Sequence, residues 1–357
     1  MKTEQLEIFG TRLKSARMIA GLSLRELSEK IDNEVTKQSL SKYEKGLMLP
    51  TPKVLQALSK ALNQKIDFFL FNSYTEFKSI SYRKKQDLPK KEEESILEKA
   101  RAYYESYSEI EAILGLKTEF VNPVSNITIN SYDDIERAAN TLRKEWELGL
   151  QPISNLIEML ESVGIKVYII EHSDKIDGIS IEIENGGHLV VINIANKPLE
   201  RIRFTILHEL AHTFLKFSDA IKKSPKLLEK LCHYFASCLL LPKTKLLEMI
   251  GGKKRSYIKI IELETIKNYF GISIRAIVYR LKQIGIITEN YHKRWSIWLN
   301  KTYGVKDEPG NYIGVEKSYR FMQLINRALS EELISISKAG TLTGENISDI
   351  KKMEPIA

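Results

Sequence analysis

The strongest constraint on this chain is the stretch Arg203-Phe-Thr-Ile-Leu-His-Glu-Leu-Ala-His-Thr-Phe-Leu-Lys216, where His208 and His212 stand one helical turn apart around Glu209. Residues at that spacing lie one above the other on a helix face, so both imidazoles reach one cation while Glu209 projects beside them. Ile206, Leu207, Leu210, Ala211, Phe214 and Leu215 surround the motif and are expected to bury most of the helix. A buried helix carrying His-Glu-His with no cation to share leaves polar groups poorly satisfied, which is costly. Zinc in a hydrolase takes neutral imidazole nitrogens and one more protein ligand, and leaves a fourth position to water whose pKa it lowers towards about 7. Glu209, beside a ligand without being one, is then the expected general base, taking the proton of that water and passing it to the leaving amine.

A third ligand is expected on a second helix, Leu228-Glu-Lys-Leu-Cys-His-Tyr-Phe-Ala-Ser-Cys-Leu-Leu-Leu-Pro242, apolar along one side and ended by Pro242. Glu229 and His233 share a face of it. Glu229 completes a two-His, one-Glu zinc site with His208 and His212, one Zn2+ per chain, although the same donor set also suits iron or manganese. His233 is a candidate catalytic residue, either as a rival third ligand or as a donor to the transition-state oxyanion. The order E-x-x-C-H-x-F-A-x-x-L-L-L-P resembles the second signature of the ImmA/IrrE-type metallopeptidases, E-x-x-A-N-x-F-A-x-x-L-L-M-P. Cys232 and His233 stand where that family has Ala and Asn.

Residues 1–72 read as an all-α helix-turn-helix domain. Leu6, Phe9, Leu13, Ala16 and Ile19 recur at helical spacing, Ser23-Leu-Arg-Glu26 is a capping box, Lys37 to Glu44 forms a third helix, and Thr51-Pro52 opens a fourth. The second helix of such a motif enters the major groove, so Thr36, Lys37, Gln38, Ser41 and Lys42 are the expected DNA-binding residues. The ordered set T-K-Q-S-L-S-K-Y-E-K-G followed by T-P-K-V-L-x-x-L-S-K-A-L resembles the XRE-type, Cro-repressor-like domains.

Residues 73–130 read as a charged linker, around Tyr82-Arg-Lys-Lys-Gln-Asp-Leu-Pro, and a long helix from Glu93 to Leu114 with an aromatic stripe expected to serve packing. From 131 to 250 two helices precede three strands, Lys166–Ile170, Gly178–Ile183 and His188–Asn193, split by Asn185-Gly-Gly187. With the two metal helices these make an α+β arrangement. Strand 188–193 is the expected free edge beside the metal, because peptides often bind peptidases by adding a strand there. His172 and His188 are expected at the surface. A-x-x-L-R-x-x-W-x-L-G, the Asp177-Gly178 pair, V-V-I-N and R-x-R-F-T-x-x-H-E-x-x-H extend the ImmA/IrrE-type resemblance over about 131–330. It implies a zincin-like fold, with residues 251–357 as a helical C-terminal region completing or flanking it.

The fold class expected is therefore multidomain: an all-α reader, an α+β zincin-like metallopeptidase, and helices. Lys and Arg total 54 against 46 Asp and Glu, a net charge of +8, which permits a polyanionic partner such as a double-stranded DNA operator. No apolar run reaches membrane-span length, and Met1-Lys-Thr-Glu-Gln lacks a signal peptide's apolar core, so a cytoplasmic protein without a membrane partner is expected. Cys232 and Cys238 are expected as core thiols. The resemblance implies a DNA-binding transcriptional regulator whose site-specific peptidase cleaves a partner repressor or itself, and a homodimer is expected because helix-turn-helix readers usually face two half-sites. The alternative is a repressor or antitoxin, in a toxin-antitoxin or mobile-element module, whose metal domain is mainly a sensor or a scaffold for a partner such as a toxin.

Overall fold

The computed structural model describes residues 2–70, 74–84, 88–116, 120–173, 175–184 and 186–351. Residues 85–87 of the charged stretch, Asn185 of the expected turn and the tail from 352 lie outside the described residues. In chain order come helices α1 (Lys2–Ile19), α2 (Leu24–Lys30), α3 (Lys37–Glu44), α4 (Pro52–Leu62) and α5 (Ile66–Leu70), strand β1 (Phe77–Lys84) and helix α6 (Lys90–Ile113). Then follow β2 (Thr128–Ile129), α7 (Tyr132–Glu145), α8 (Leu156–Ser162), β3 (Ile165–Ile170), β4 (Ile176–Ile183) and β5 (His188–Asn193). The chain continues through α9 (Leu199–Phe214), β6 (Lys216–Phe217), α10 (Asp219–Lys222), α11 (Pro225–Leu240), α12 (Lys243–Ile250), α13 (Ile260–Phe270), α14 (Ile274–Gln283) and α15 (Glu289–Tyr303). It ends in α16 (Arg320–Ser330), α17 (Ile336–Thr343) and α18 (Ile347–Lys351).

The chain forms two units. The first, residues 1–76, 86–117 and 320–357, is helical. Its helix starts are set by side chains that accept orphan amides: Ser23 and Glu26 cap α2 reciprocally, Thr36 caps α3, and Thr51 caps α4 with Pro52 in the first turn. Phe9, Leu13, Ala16, Leu27, Leu40, Tyr43, Leu58 and Leu62 form the core of α1–α5. Gly10 lets α1 lie on the end of α3, since a Cβ there would stand 2.6 Å from the Tyr43 carbonyl oxygen. Buried polar groups join α1 to α6: Arg12 donates to Glu105 at 2.6 Å and Ser15 to Glu98 at 2.6 Å. The aromatic stripe of α6 is packing, with Tyr107 against Phe321 of α16 at 5.2 Å between centroids.

The second unit, residues 77–85 and 118–319, holds a four-stranded sheet in the order β1-β4-β5-β3. β3 and β5 run parallel, and β4 is antiparallel to both β5 and β1. The sheet corrects two expectations. Residues 77–84 of the supposed linker are an edge strand, and 188–193 is not an edge but lies between β4 and β3. The reason is visible in the residues: Leu189-Val-Val-Ile192 is apolar on both faces, every residue of β5 is buried, and such strands belong in the middle of a sheet. His188 is likewise buried, with its ring against Phe120 and Phe214, and not at the surface. Helix α9 packs beneath β1, β4 and β5, and α11 packs across α9 and α7.

Candidate metal centre and nucleic-acid interface

Two packed helices build the candidate metal centre. Phe204, Ile206, Leu207, Leu210 and Ala211 set α9 into the core, with Arg203 anchoring its first half. The Arg203 guanidinium is fully buried, donates to the Ile153 carbonyl at 2.7 Å and pairs with Glu316, whose other oxygen accepts the Leu156 amide at 2.8 Å. Burial raises the Glu316 carboxyl above its usual range, and the Arg203 charge opposes this. At the start of α9, Asp177 accepts Lys197 at 3.1 Å and Arg201 at 3.2 Å. The Asn193 side-chain amide ties the ends of β4 and β5 by donating to the carbonyls of His172, Ser173 and Ile176.

On this scaffold three donor groups converge. Nε2 of His212 lies 3.2 Å from Nε2 of His208, and Glu229 on α11 places Oε2 3.2 Å from His208 Nε2 and Oε1 3.4 Å from His212 Nε2. Ligand atoms at 2.0–2.1 Å from a tetrahedral centre stand about 3.3–3.4 Å apart, so the spacing fits a zinc-sized cation. The neighbouring imidazoles, His208 foremost, hold the Glu229 carboxyl down at about 2 against the opposing effect of burial. The Glu229 carboxylate is therefore ionised beside the two imidazoles.

His233 stands beside this group. Its ring lies 4.3 Å from that of His208 between centroids and stacks on Phe204 at 5.7 Å. Ligand atoms of His208, Glu229 and His233 also lie within 4.8 Å of one another, a looser triangle than the one through His212. Glu209 is fully buried on the sheet side of α9, where a Cβ at Gly178 would come 3.2 Å from its Cγ. Sequence reasoning gave no role to three neighbours of the centre. Gly178 leaves room for Glu209, Thr205 closes the same spot at 3.4 Å, and Cys232 places Sγ 3.7 Å from Nδ1 of His212. Burial, then the carboxylates of Glu229 and Glu209, push the Cys232 thiol pKa far up, so it stays protonated. Both cysteines are free and buried. Cys232 stood out in the sequence by its departure from the family's Ala, and Gly178 and Thr205 belonged to the Asp177-Gly178 pair and the R-x-R-F-T-x-x-H-E-x-x-H run.

The five expected DNA-contacting residues sit together on α3. Thr36, Lys37, Gln38 and Lys42 are exposed and Ser41 is half-buried, while Leu40 and Tyr43 of the same helix face the core. Arg17 braces the helix end by donating to both oxygens of Glu44, at 2.5 and 2.9 Å.

The class is a reader joined to a metallopeptidase-type domain: residues 13–69 match the helix-turn-helix family model and residues 160–282 match that of the IrrE N-terminal-like domain, a peptidase family. The chain is a fusion of these two domains. No curated protein matches it. Among the described residues no helix is long and apolar enough to cross a membrane.

Proposed function

We propose that the chain is a DNA-binding transcriptional regulator whose second unit is a zinc-dependent, site-specific endopeptidase acting on a partner repressor or on the chain itself. The observation that carries this reading is the triangle His208, His212 and Glu229, with sides of 3.2, 3.2 and 3.4 Å, beside a buried Glu209. A cation held there supplies Lewis acidity towards a water and a peptide carbonyl. His208 and His212 present Nε2 to it, and His212 is kept in that tautomer by donating Nδ1–H towards Cys232 Sγ. Glu209 takes the proton of the attacking water and delivers it to the leaving amine. His233, outside the tight triangle, donates a hydrogen bond to the oxygen on which charge develops. Thr36, Lys37, Gln38, Ser41 and Lys42 face phosphates and base edges of an operator read by a homodimer in the cytoplasm.

The test is metal analysis of the purified full-length protein by mass spectrometry, together with His208→Ala, Glu229→Ala, His233→Ala and Glu209→Gln. Zinc at about one per chain in wild type and Glu209→Gln, lost in His208→Ala and Glu229→Ala and kept in His233→Ala, is the expected pattern. Metal lost with His233→Ala but kept with Glu229→Ala would overturn the ligand assignment. A metal-free wild type would overturn the peptidase.

A further inference from the structure

On β4, a Cβ at Gly178 would stand 3.2 Å from the Glu209 Cγ. One side of β4 is taken by β5, and the other by β1, with Arg83 opposite Gly178, Tyr82 opposite Ile179, Ser81 opposite Ser180 and Ile80 opposite Ile181. An extended peptide that adds a strand next to Glu209 therefore has the β4 edge to take, and the chain's own residues 77–84 hold it. Ladder pairing uses main-chain N–H and C=O groups, which every peptide carries, so a segment paired in cis competes with any peptide in trans.

The side chains of β1 are more exposed than those of its neighbours. β5 is buried throughout and β4 nearly so, whereas Phe77, Lys78, Ser79, Ile80 and Ser81 of β1 all keep solvent contact. The register shifts between Phe77 and Ser79 and again between Arg83 and Lys84, so the regular ladder runs over the five pairs from Ser79 to Arg83. Glu182 accepts Lys78 at 2.6 Å and Ser79 at 3.2 Å at the solvent-facing end of β1. Exposed pairs of that kind contribute about 0–1 kcal/mol.

We infer that the β4 edge from Ile176 to Ile183 is a docking site for an extended polypeptide strand, and that β1 is its displaceable occupant within the chain. What happens after docking rests on the peptidase reading, but docking itself does not. The experiment uses the full chain carrying Glu209→Gln, in which a bound peptide stays intact, and a dye-labelled peptide copying residues 76–84 as the probe. Binding is read by fluorescence anisotropy. Ile80→Pro with Ser81→Pro removes a ladder N–H whichever of the two faces β4. The proline variant is expected to bind the peptide at least about tenfold more tightly than its parent, since the intramolecular competitor is gone.

A second variant guards against misfolding. Ser81→Cys with Ser180→Cys joins directly opposed residues, whose Cα separation of about 4.5–5.5 Å suits a disulfide. The oxidised lock is expected to exclude the peptide and the reductant to restore parental binding. Equal binding by parent, proline variant and oxidised lock would overturn the inference, as would no binding by a folded proline variant. Neither result touches the metal assay, so failure here and failure of the peptidase reading remain separate.

Discussion

His188 offers the sharpest test of how the sheet is built. It lies 8% exposed, in edge-on contact with Phe120 and Phe214, and its Nδ1 has no hydrogen-bond partner among the described residues. Burial lowers its pKa from 6.5 to about 4, the Glu182 carboxylate opposing the shift and Lys78 adding to it. A histidine with a depressed folded pKa is protonated first in the unfolded chain. Its contribution is therefore complete above about pH 6.5 and is lost as the pH falls from there towards 4. At about 1.4 kcal/mol per unit the whole loss is about 3 kcal/mol, of which about 2 kcal/mol falls between pH 8 and pH 5. Trp146, Trp295 and Trp298 all lie in the second unit, so urea unfolding followed by tryptophan fluorescence reports that unit alone. Wild type is expected to lose about 2 kcal/mol more than His188→Leu between those pH values. Protonation of the metal-centre histidines is common to both proteins and cancels in the difference. Parallel pH profiles would refute the reasoning, because they would mean that His188 binds its proton equally well folded and unfolded.

Further substitutions probe the scaffold. Gly178→Ala should leave metal content at the wild-type level but lower peptide turnover about tenfold, because a Cβ 3.2 Å from Glu209 Cγ moves the carboxylate by a few tenths of an ångström; unchanged turnover would sink that placement. Glu316→Gln strands the buried Arg203 charge and should lower the urea stability of the second unit by about 3–5 kcal/mol, with a shift under 1 kcal/mol showing that the pair is not desolvated. Gly10→Ala should destabilise α1 to α5 by about 1–3 kcal/mol and weaken operator binding with them, read by hydrogen exchange of α3; wild-type protection would show that α1 and α3 can part at little cost.

How much of this was legible in the sequence depends on whether the cause was local. Capping residues act within one turn, so the starts of α2, α3, α4 and α7 follow from Ser23, Thr36, Thr51 and Ser131. The proximity of His208 and His212 is a property of helical spacing, and required only that α9 form. Strand β1 was unreadable for the opposite reason. Lys78-Ser-Ile-Ser-Tyr-Arg-Lys84 has the polarity of a linker, and it becomes a strand because β4 offers an unsatisfied ladder nearly a hundred residues away. Glu316 is equally remote from Arg203, and no local pattern announces that pair.

The misplaced edge shows how one non-local strand changes a functional reading. With β1 counted as linker, only three strands remained, and 188–193 looked like the rim beside the metal helix. Its alternation argued against that, because Leu189, Val190, Val191 and Ile192 leave no polar face for solvent. With β5 central and β1 at the rim, the strand beside Glu209 is β4, where a Cβ on Gly178 would stand 3.2 Å from the Glu209 Cγ. The residue that needs no side chain and the edge that needs an occupant then lie on the same strand. A peptide seated there would pass Glu209 along its backbone, which is where a general base for amide hydrolysis has to stand.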